Sequence, residues 1–185
     1  MQKKILVPIA DGTEMIEALS VVDIFRRAGA HVDLASVGNK VTTSSHEVRI
    51  EADKLIEECL DEEYDLVVIP GGIPGSENLK NSSALTTILK KQYEANKLYG
   101  AICAAPAVVL GYHGLLEGKK ATCHPLYLNE ISGETVKDEK VVQDGNCVTS
   151  QGAGTAIDFS LALLARVMGT EKMKEVAKGL ALNIS

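Results

Sequence analysis

A near-continuous apolar run, "YDLVVIP" at 64–70, constrains the fold of this chain more than any other feature. Runs of this kind are typical of parallel strands that are buried on both faces. Strand-like and helix-like segments alternate on either side of it almost without interruption. This alternation predicts an α/β fold: an open, doubly wound, mostly parallel sheet with helices on both faces.

The hydrophobic periodicity and the turn residues place the individual elements. Strands are predicted at 3–10, 31–37, 64–70, 98–102 and 119–125, and helices at 14–28, 84–96, 104–110, 154–168 and 171–180. The segment 40–53 is predicted as a hairpin or an irregular excursion, and 140–152 as a hairpin that turns at Asp144-Gly145. Because no internal repeat, low-complexity segment or linker interrupts the chain, we expect a single domain over residues 1–185.

Composition and charge narrow the range of partners. Hydrophobic residues make up 45% and charged residues 24% of the 185 residues, as in an ordinary globular protein. The formal net charge is −6 and no dense Lys/Arg stripe is present, so nucleic acid is not an expected partner. No stretch is long enough to span a membrane, and the opening "MQKKILVPIADG" has too short an apolar run for a signal peptide. We therefore expect a cytoplasmic protein without a membrane partner.

Five turns that follow strand or strand-like segments hold nearly all of the unusual residues: "ADGTE", "PGGIPGS", "AICAAP", "CHP" and "TSQGAGT". In open α/β sheets, ligands bind outside the carboxyl ends of the strands, near the point where the strand order reverses. These turns are therefore the candidate functional regions.

Cys103 lies at a predicted strand-to-helix join, among the small residues Ala101, Ala104 and Ala105. Small neighbours are what a tight nucleophile elbow needs, and a helix N-terminus beneath the thiol would lower its pKa. The alternative is a buried structural cysteine, the commonest role of a free thiol. The four cysteines contain no C-x-x-C pair and are too sparse for a disulfide scaffold, so neither a metal site nor a redox pair is predicted.

Glu17 lies on an apolar stripe of the first predicted helix, together with Val21, Ile24 and Ala28. A carboxyl group there, just past a strand end, would have its pKa raised by desolvation and could donate or shuttle a proton. The alternative is a solvated glutamate in the first turn of a helix, favoured by the helix dipole.

His124, in "TCHPL", is the best placed of the four histidines, because it ends a candidate strand. The turns "PGGIPGS" and "SQGAGT" expose backbone N–H groups that could cradle a phosphate or form an oxyanion hole. Neither turn matches the G-x-x-x-x-G-K-[ST] or G-x-G-x-x-G motif of nucleotide-binding proteins. Tight packing at strand ends is the structural alternative.

The motifs together identify a family. In order and spacing, the chain resembles the ThiJ/PfpI superfamily, and specifically its DJ-one-like branch, along essentially its whole length, in "ADGTEMIEALSVVDIFRRAG", "YDLVVIPGGIPGSENL", "GAICAAPAVVL", "ATCHP" and "TSQGAGTAIDF". The resemblance implies a flavodoxin-like α/β sandwich and a homodimer with the first helix in the interface. It implies no cofactor and no metal.

The resemblance also implies roles for single residues. The reactive cysteine in a strained elbow corresponds to Cys103, its glutamate partner to Glu17 and the histidine to His124. Ala104 and Gly72 correspond to the oxyanion donors, and we include the adjacent Gly71 among the substrate-binding residues. The histidine that directly follows the cysteine in the superfamily's proteases is replaced here by Ala104, and no H-x-E of an amidotransferase occurs, so a protease or amidase is disfavoured.

Three functions remain as hypotheses. The first is a cofactor-independent glyoxalase or deglycase, in which the Cys103 thiolate acts on small 2-oxoaldehydes such as methylglyoxal or on glycated protein. The second is an oxidative-stress sensor or chaperone in which the same cysteine is oxidised to the sulfinate. The third is a module that binds FMN or phosphate, as flavodoxin-like sheets often do.

Overall fold

A computed structural model describes residues 2–136 and 139–183 of the chain. The strands are β1 (Lys4–Ile9), β2 (His31–Ser36), β3 (Val41–Thr43), β4 (Arg49–Glu51), β5 (Lys54–Leu55), β6 (Leu66–Ile69), β7 (Leu98–Ile102), β8 (Lys120–Ala121), β9 (Glu134–Thr135), β10 (Val141–Asp144) and β11 (Cys147–Ser150). The helices are α1 (Met15–Arg27), α2 (Gly75–Lys80), α3 (Ser83–Glu94), α4 (Ala156–Met168) and α5 (Thr170–Gly179), with a π-helix at Pro106–Gly111. Short 3₁₀ turns lie at Ile56–Cys59, Pro125–Glu130 and Ala153–Thr155.

The main sheet has seven strands in the order β10-β11-β7-β6-β1-β2-β5, and only β10 runs antiparallel to its neighbour. Within it, β2-β1-β6-β7-β11 follows the strand order of flavodoxin-like sheets, with the switch point between β1 and β6. The predicted mostly parallel, flavodoxin-like sheet is thereby confirmed.

Both faces of the sheet are covered, as the apolar runs predict. Along β1, Ile5, Val7 and Ile9 belong to one apolar cluster and Leu6 to the other, because successive side chains of a strand point to opposite faces. The first cluster includes residues of α1, α4 and α5, and the second includes residues of α2, α3 and the π-helix. The sheet is therefore held between two apolar layers.

Helix α1 shows how the sequence directs the local structure. The Glu14 side chain caps it by accepting a hydrogen bond from the N–H of Glu17 at 2.8 Å. The apolar stripe predicted from the periodicity, which includes Val21 and Ile24, is buried against the sheet. Gly29, with φ of +82°, follows the end of the helix in the conformation that glycine adopts most easily. The segment 40–53 forms the hairpin β3–β4. The hairpin β10–β11 is also confirmed, but Asp144 pairs with Cys147, so its turn is at Gly145-Asn146, one residue later than predicted.

The strand predicted at 119–125 is wrong in its extent. Only β8 is formed, and it pairs with β9 in a separate two-stranded sheet. The N–H of Thr122 donates to Thr149 Oγ1 at 2.9 Å, and the N–H of His124 donates to the Cys103 carbonyl at 2.7 Å. Because Pro125 has no N–H to donate, the backbone turns away from a strand at this point.

Two helical details also differ from the prediction. The helix expected from residue 104 is a π-helix at Pro106–Gly111, a rare form that is frequent at functional sites. Helix α2 is not among the predicted elements, because the turn "PGGIPGS" at its start favours a loop. Its first residue, Gly75, packs so closely on the loop before α1 that a Cβ there would lie 2.5 Å from Thr13 N.

No helix in the described part of the chain is long and apolar enough to cross a membrane.

Candidate active site

The carboxyl ends of β1, β6 and β7 meet at one edge of the sheet, beside the switch point. The loop after β1 leads into α1, which carries Glu17 in its first turn. Strand β6 leads into Gly71 and Gly72, and β7 ends directly before Cys103. Three segments that are distant in the sequence therefore bring Glu17, the two glycines and Cys103 together.

Cys103 occupies a strained backbone position. Its φ is +66°, a left-handed conformation that costs a non-glycine residue on the order of 1–3 kcal/mol. Two hydrogen bonds hold it there: its N–H donates to the Ser150 carbonyl at 3.1 Å, and its carbonyl accepts from the N–H of His124 at 2.7 Å. The adjoining Ala104 and Ala105 are buried. This geometry matches the tight strand-to-helix elbow that the sequence predicts.

Gly71 joins the thiol to the carboxyl group. A Cβ on Gly71 would lie 2.5 Å from Cys103 Cβ and 2.7 Å from Glu17 Oε2, so only glycine fits between them. Its N–H donates to Glu17 Oε2 at 2.8 Å. This N–H therefore positions Glu17, and the predicted part of Gly71 in substrate binding stays a prediction.

Glu17 is buried, with 1% of its surface exposed. Burial raises its pKa from 4.5 to about 7, and the charge of Glu14 adds to the rise. Hydrogen bonds from the N–H of Gly71, from Cys103 and from the N–H of Ala153 oppose the rise without cancelling it. The apolar-stripe prediction of a desolvated carboxyl is confirmed, and a pKa near neutrality suits a group that both accepts and returns a proton.

The pKa of the Cys103 thiol differs from the sequence prediction. Burial and the neighbouring Glu17 carboxylate raise it to about 12, although the backbone N–H groups of Gly72 and Ala104 lower it. The expected stabilisation by N–H groups at the elbow is therefore present but outweighed. While Glu17 is ionised the thiol keeps its proton, and the carboxylate is positioned to remove it.

The backbone N–H of His124 contacts the elbow at the Cys103 carbonyl, and the imidazole ring lies beside Gly152 at the same edge of the sheet. Its Nδ1 accepts a hydrogen bond from the N–H of Leu126 at 3.3 Å, which places the proton of the neutral ring on Nε2. The ring stands edge-on to Tyr127, with centroids 6.4 Å apart. Cδ2, the carbon bonded to Nε2, faces Gly152.

Sequence reasoning marked the turn "TSQGAGT" but singled out no residue in it. The structure places Gly152 between the His124 ring and Glu17, and directs the N–H of Ala153 to the Glu17 carboxyl. The sequence feature that points to this turn is its position directly after β11, which places it at the same edge of the sheet as Cys103.

The backbone N–H groups of the glycine-rich turns are directed to Glu17 and Cys103. Those of Gly71 and Ala153 donate to the Glu17 carboxyl group, and those of Gly72 and Ala104 donate to the Cys103 sulfur. This arrangement favours an oxyanion hole beside the sulfur over a phosphate-binding site. Within the ranges that the structure describes, no three His, Cys, Asp or Glu side chains are grouped as metal ligands would be.

Comparison with known proteins identifies relatives of the chain. The model of the DJ-1/PfpI family matches residues 3–166. "Protein DJ-1 homolog B" of Arabidopsis thaliana is 44% identical over 176 residues, which cover 95% of this chain and 40% of that protein. The chain thus spans less than half the length of this relative. "Glutathione-independent glyoxalase DJR-1.2" of Caenorhabditis elegans is 32% identical, with coverage of 96% and 95%.

Solved structures agree with the fold. Oxidized DJ-1 of Toxoplasma gondii superimposes with a TM-score of 0.95 and 42% identity, covering 98% of this chain and 100% of that one. DJ-1beta of Drosophila melanogaster superimposes with a TM-score of 0.96 and 38% identity over the full length of both chains.

Proposed function

The chain belongs to the DJ-1/PfpI family, and on that premise we propose that it is a stress-protection enzyme that converts small 2-oxoaldehydes, such as methylglyoxal, into 2-hydroxy acids without a cofactor. One observation carries the proposal: a thiol in a strained elbow lies beside a buried carboxyl group whose pKa is about 7. A relative named as a glutathione-independent glyoxalase supports it.

The first step is addition of the sulfur to the aldehyde. Glu17 takes the thiol proton as Cys103 Sγ bonds to the aldehyde carbon, C1, and the C1=O double bond becomes a C–O⁻ single bond. The N–H groups of Gly72 and Ala104, which point to Sγ, are near enough to stabilise the new oxyanion beside it. Glu17 then returns the proton to this oxygen, which gives a hemithioacetal and restores the carboxylate.

The second step moves a hydrogen between the two carbons. The Glu17 carboxylate removes the proton from C1, the electron pair forms the C1=C2 double bond of an enediol, and C2=O becomes C2–OH with a proton from His124 Nε2. Glu17 then delivers its proton to C2 while the C1 hydroxyl returns a proton to His124. C1 is oxidised and C2 reduced, so no external redox partner is needed. Water hydrolyses the resulting thioester to lactate and the free thiol.

The direct test is lactate formation from methylglyoxal by the purified protein, with a chelator present and glutathione absent. We expect catalytic turnover over a protein-free blank. Absence of turnover would refute the glyoxalase proposal. A peptide glycated with methylglyoxal, offered in the same assay, tests whether the adduct is also a substrate.

A second proposal is a redox role for the same cysteine. Cys103 is partly exposed, whereas Cys59, Cys123 and Cys147 are buried, and the Toxoplasma relative was solved in an oxidized form. Two molecules of peroxide convert the thiol first to the sulfenate and then to the sulfinate, each losing one water. The protonated Glu17 carboxyl is placed to donate a hydrogen bond to that product.

We expect mild peroxide to add two oxygens, about 32 Da, to Cys103 before any other cysteine. Peptide mass spectrometry at increasing peroxide measures the order of oxidation. Earlier oxidation of Cys59 or Cys147 would contradict the sensor role. If the protein shows this selectivity but no turnover, the sensor explains the site better than the enzyme does.

We also propose a homodimer formed through α1. Its Ile16 and Leu19 are 49% and 38% exposed, and Val48 of the adjacent β3–β4 hairpin is 42% exposed. A single exposed apolar side chain is unremarkable, but three on neighbouring elements suit a second copy. Leu19→Glu should give monomers in sedimentation velocity, whereas Tyr112→Glu, on the opposite face of the sheet, should not. Monomeric wild-type protein would contradict the proposal.

A further inference from the structure

We propose that Gly152 determines which 2-oxoaldehydes the site accepts, because its lack of a side chain leaves room between Glu17 and His124 for the substituent on the second carbon, C2. This inference rests on the proposed function and adds a specificity-determining residue to it.

The room beside Gly152 holds at least one methyl group. A Cβ built on Gly152 would lie 3.6 Å from His124 Cδ2 and 3.9 Å from Glu17 Oε1. Apart from its chain neighbours, no other heavy atom in the described ranges lies within 4 Å of that position. A methyl group there would therefore touch the imidazole and the carboxyl group at ordinary van der Waals distance, without a clash.

The chemistry places C2 at this position. C1 is bonded to Cys103 Sγ, and Glu17 has to reach both carbons to move the hydrogen. Oε2 of Glu17 is held by the N–H of Gly71, whereas Oε1 faces Gly152. Nε2 of His124, the proposed proton donor to the C2 oxygen, is bonded to the Cδ2 atom that borders the same room. C2 and its substituent therefore lie between these two side chains, in front of Gly152.

The C2 substituent differs among simple substrates. In glyoxal C2 carries a hydrogen, in methylglyoxal a methyl group, and in phenylglyoxal a ring. A methyl group on residue 152 would compete for space with the last two and not with the first. One added methyl or methylene in a close-fitting site changes selectivity by roughly 10- to 200-fold.

The substitution Gly152→Ala is compatible with the backbone. Gly152 has φ of 163° and ψ of −171°, extended values that alanine also adopts. Its N–H donates to Thr155 Oγ1 at 3.2 Å and its carbonyl accepts from the N–H of Thr155 at 2.8 Å, and neither bond needs a glycine. The variant is thus expected to fold, so its kinetics report on the site.

The experiment measures kcat/KM of Gly152→Ala and wild type with glyoxal, methylglyoxal and phenylglyoxal. We expect the ratio of methylglyoxal to glyoxal to fall by at least about 10-fold, and the ratio of phenylglyoxal to glyoxal to fall further. Alkylation of Cys103 by iodoacetamide should stay within about two-fold of wild type, because no atom of Cys103 lies within 4 Å of the added Cβ. Gly154→Ala is the matched control: it lies in the same turn, has nothing within 4 Å of its Cβ position, and should keep the wild-type ratios.

Two results would overturn the role of Gly152 alone: unchanged ratios, or an equal loss with all three substrates, which would indicate damage to the machinery and not exclusion of the substituent. A wild-type protein that converts none of the three overturns the proposed function and this inference with it. Measurement of the wild-type protein with the three aldehydes thus distinguishes failure of the Gly152 proposal from failure of the proposed function.

Discussion

Replacement of Cys103 by alanine is expected to lower lactate formation from methylglyoxal by at least about 1,000-fold, to the level of the protein-free blank. The reason is that the sulfur forms the covalent bond on which both later steps depend. Glu17 and the amides of Gly72 and Ala104 remain in the variant, but they have no hemithioacetal to act on. Initial rates of lactate release, measured at several methylglyoxal concentrations, give the comparison.

Two further variants test whether the loss of activity is specific to the thiol of Cys103. Cys103→Ser keeps nearly the same volume and the strained backbone, and should be nearly as inactive, because a serine hydroxyl beside the Glu17 carboxylate stays protonated. Cys147→Ala removes a thiol that is 1% exposed and whose pKa burial raises to about 12, so its turnover should remain within about three-fold of wild type. Activity in both Cys103 variants would exclude covalent catalysis at this site.

Replacement of Glu17 by glutamine is expected to lower kcat/KM by about 100- to 10,000-fold and to remove its dependence on pH near neutrality. In the wild type, kcat/KM should rise with pH and level off above about 7, because the carboxyl group, with its pKa of about 7, acts only when ionised. Glutamine has the same shape but carries no proton between the carbons. A pH–rate profile from pH 5 to pH 9 tests both statements.

The rate of Cys103 alkylation in the Glu17→Gln variant separates proton transfer between the carbons from removal of the thiol proton. The Glu17 carboxylate raises the pKa of Cys103, so its removal should leave iodoacetamide alkylation as fast as in wild type or faster. Parallel loss of alkylation and turnover would show that removal of the thiol proton by Glu17, and not proton transfer between the two carbons, accounts for the lost activity. Glu14→Gln is the matched control, and it should shift the inflection to lower pH, because the Glu14 charge raises the pKa of Glu17.

Stability provides an independent check on the same variant. The pKa of Glu17 is 4.5 in the unfolded chain and about 7 in the folded protein, so the folded state binds more protons between these values. Wild-type stability should therefore fall as the pH rises through this window. At pH 8 the glutamine variant should be more stable, by up to about 3 kcal/mol, and at pH 4 nearly equal. Denaturant unfolding at the two pH values measures this, and a less stable variant at pH 8 would contradict the buried charge.

The fold class and the chemical groups could be predicted from the sequence because both depend on local patterns. The apolar run at 64–70 and the alternation of elements indicated a parallel sheet covered on both faces. The helical period placed Glu17 on a buried stripe, and the alanines beside Cys103 indicated a tight turn. The elements most at variance with the prediction, the strand at 119–125 and helix α2, are those whose backbone is held by distant segments.

What only the tertiary structure decided is how the site residues act on one another. Glu17 and Gly71 are 54 positions apart, yet their 2.8 Å hydrogen bond fixes the carboxyl group beside the thiol. Burial of the thiol, together with the charge of this nearby carboxylate, outweighs the N–H groups of the elbow and raises the Cys103 pKa, opposite to the direction that the sequence predicts. The room beside Gly152 likewise exists only where two side chains from other segments meet. Local sequence determines which groups are available, whereas the electrostatic and steric terms that set their reactivity depend on distances that only the folded chain defines.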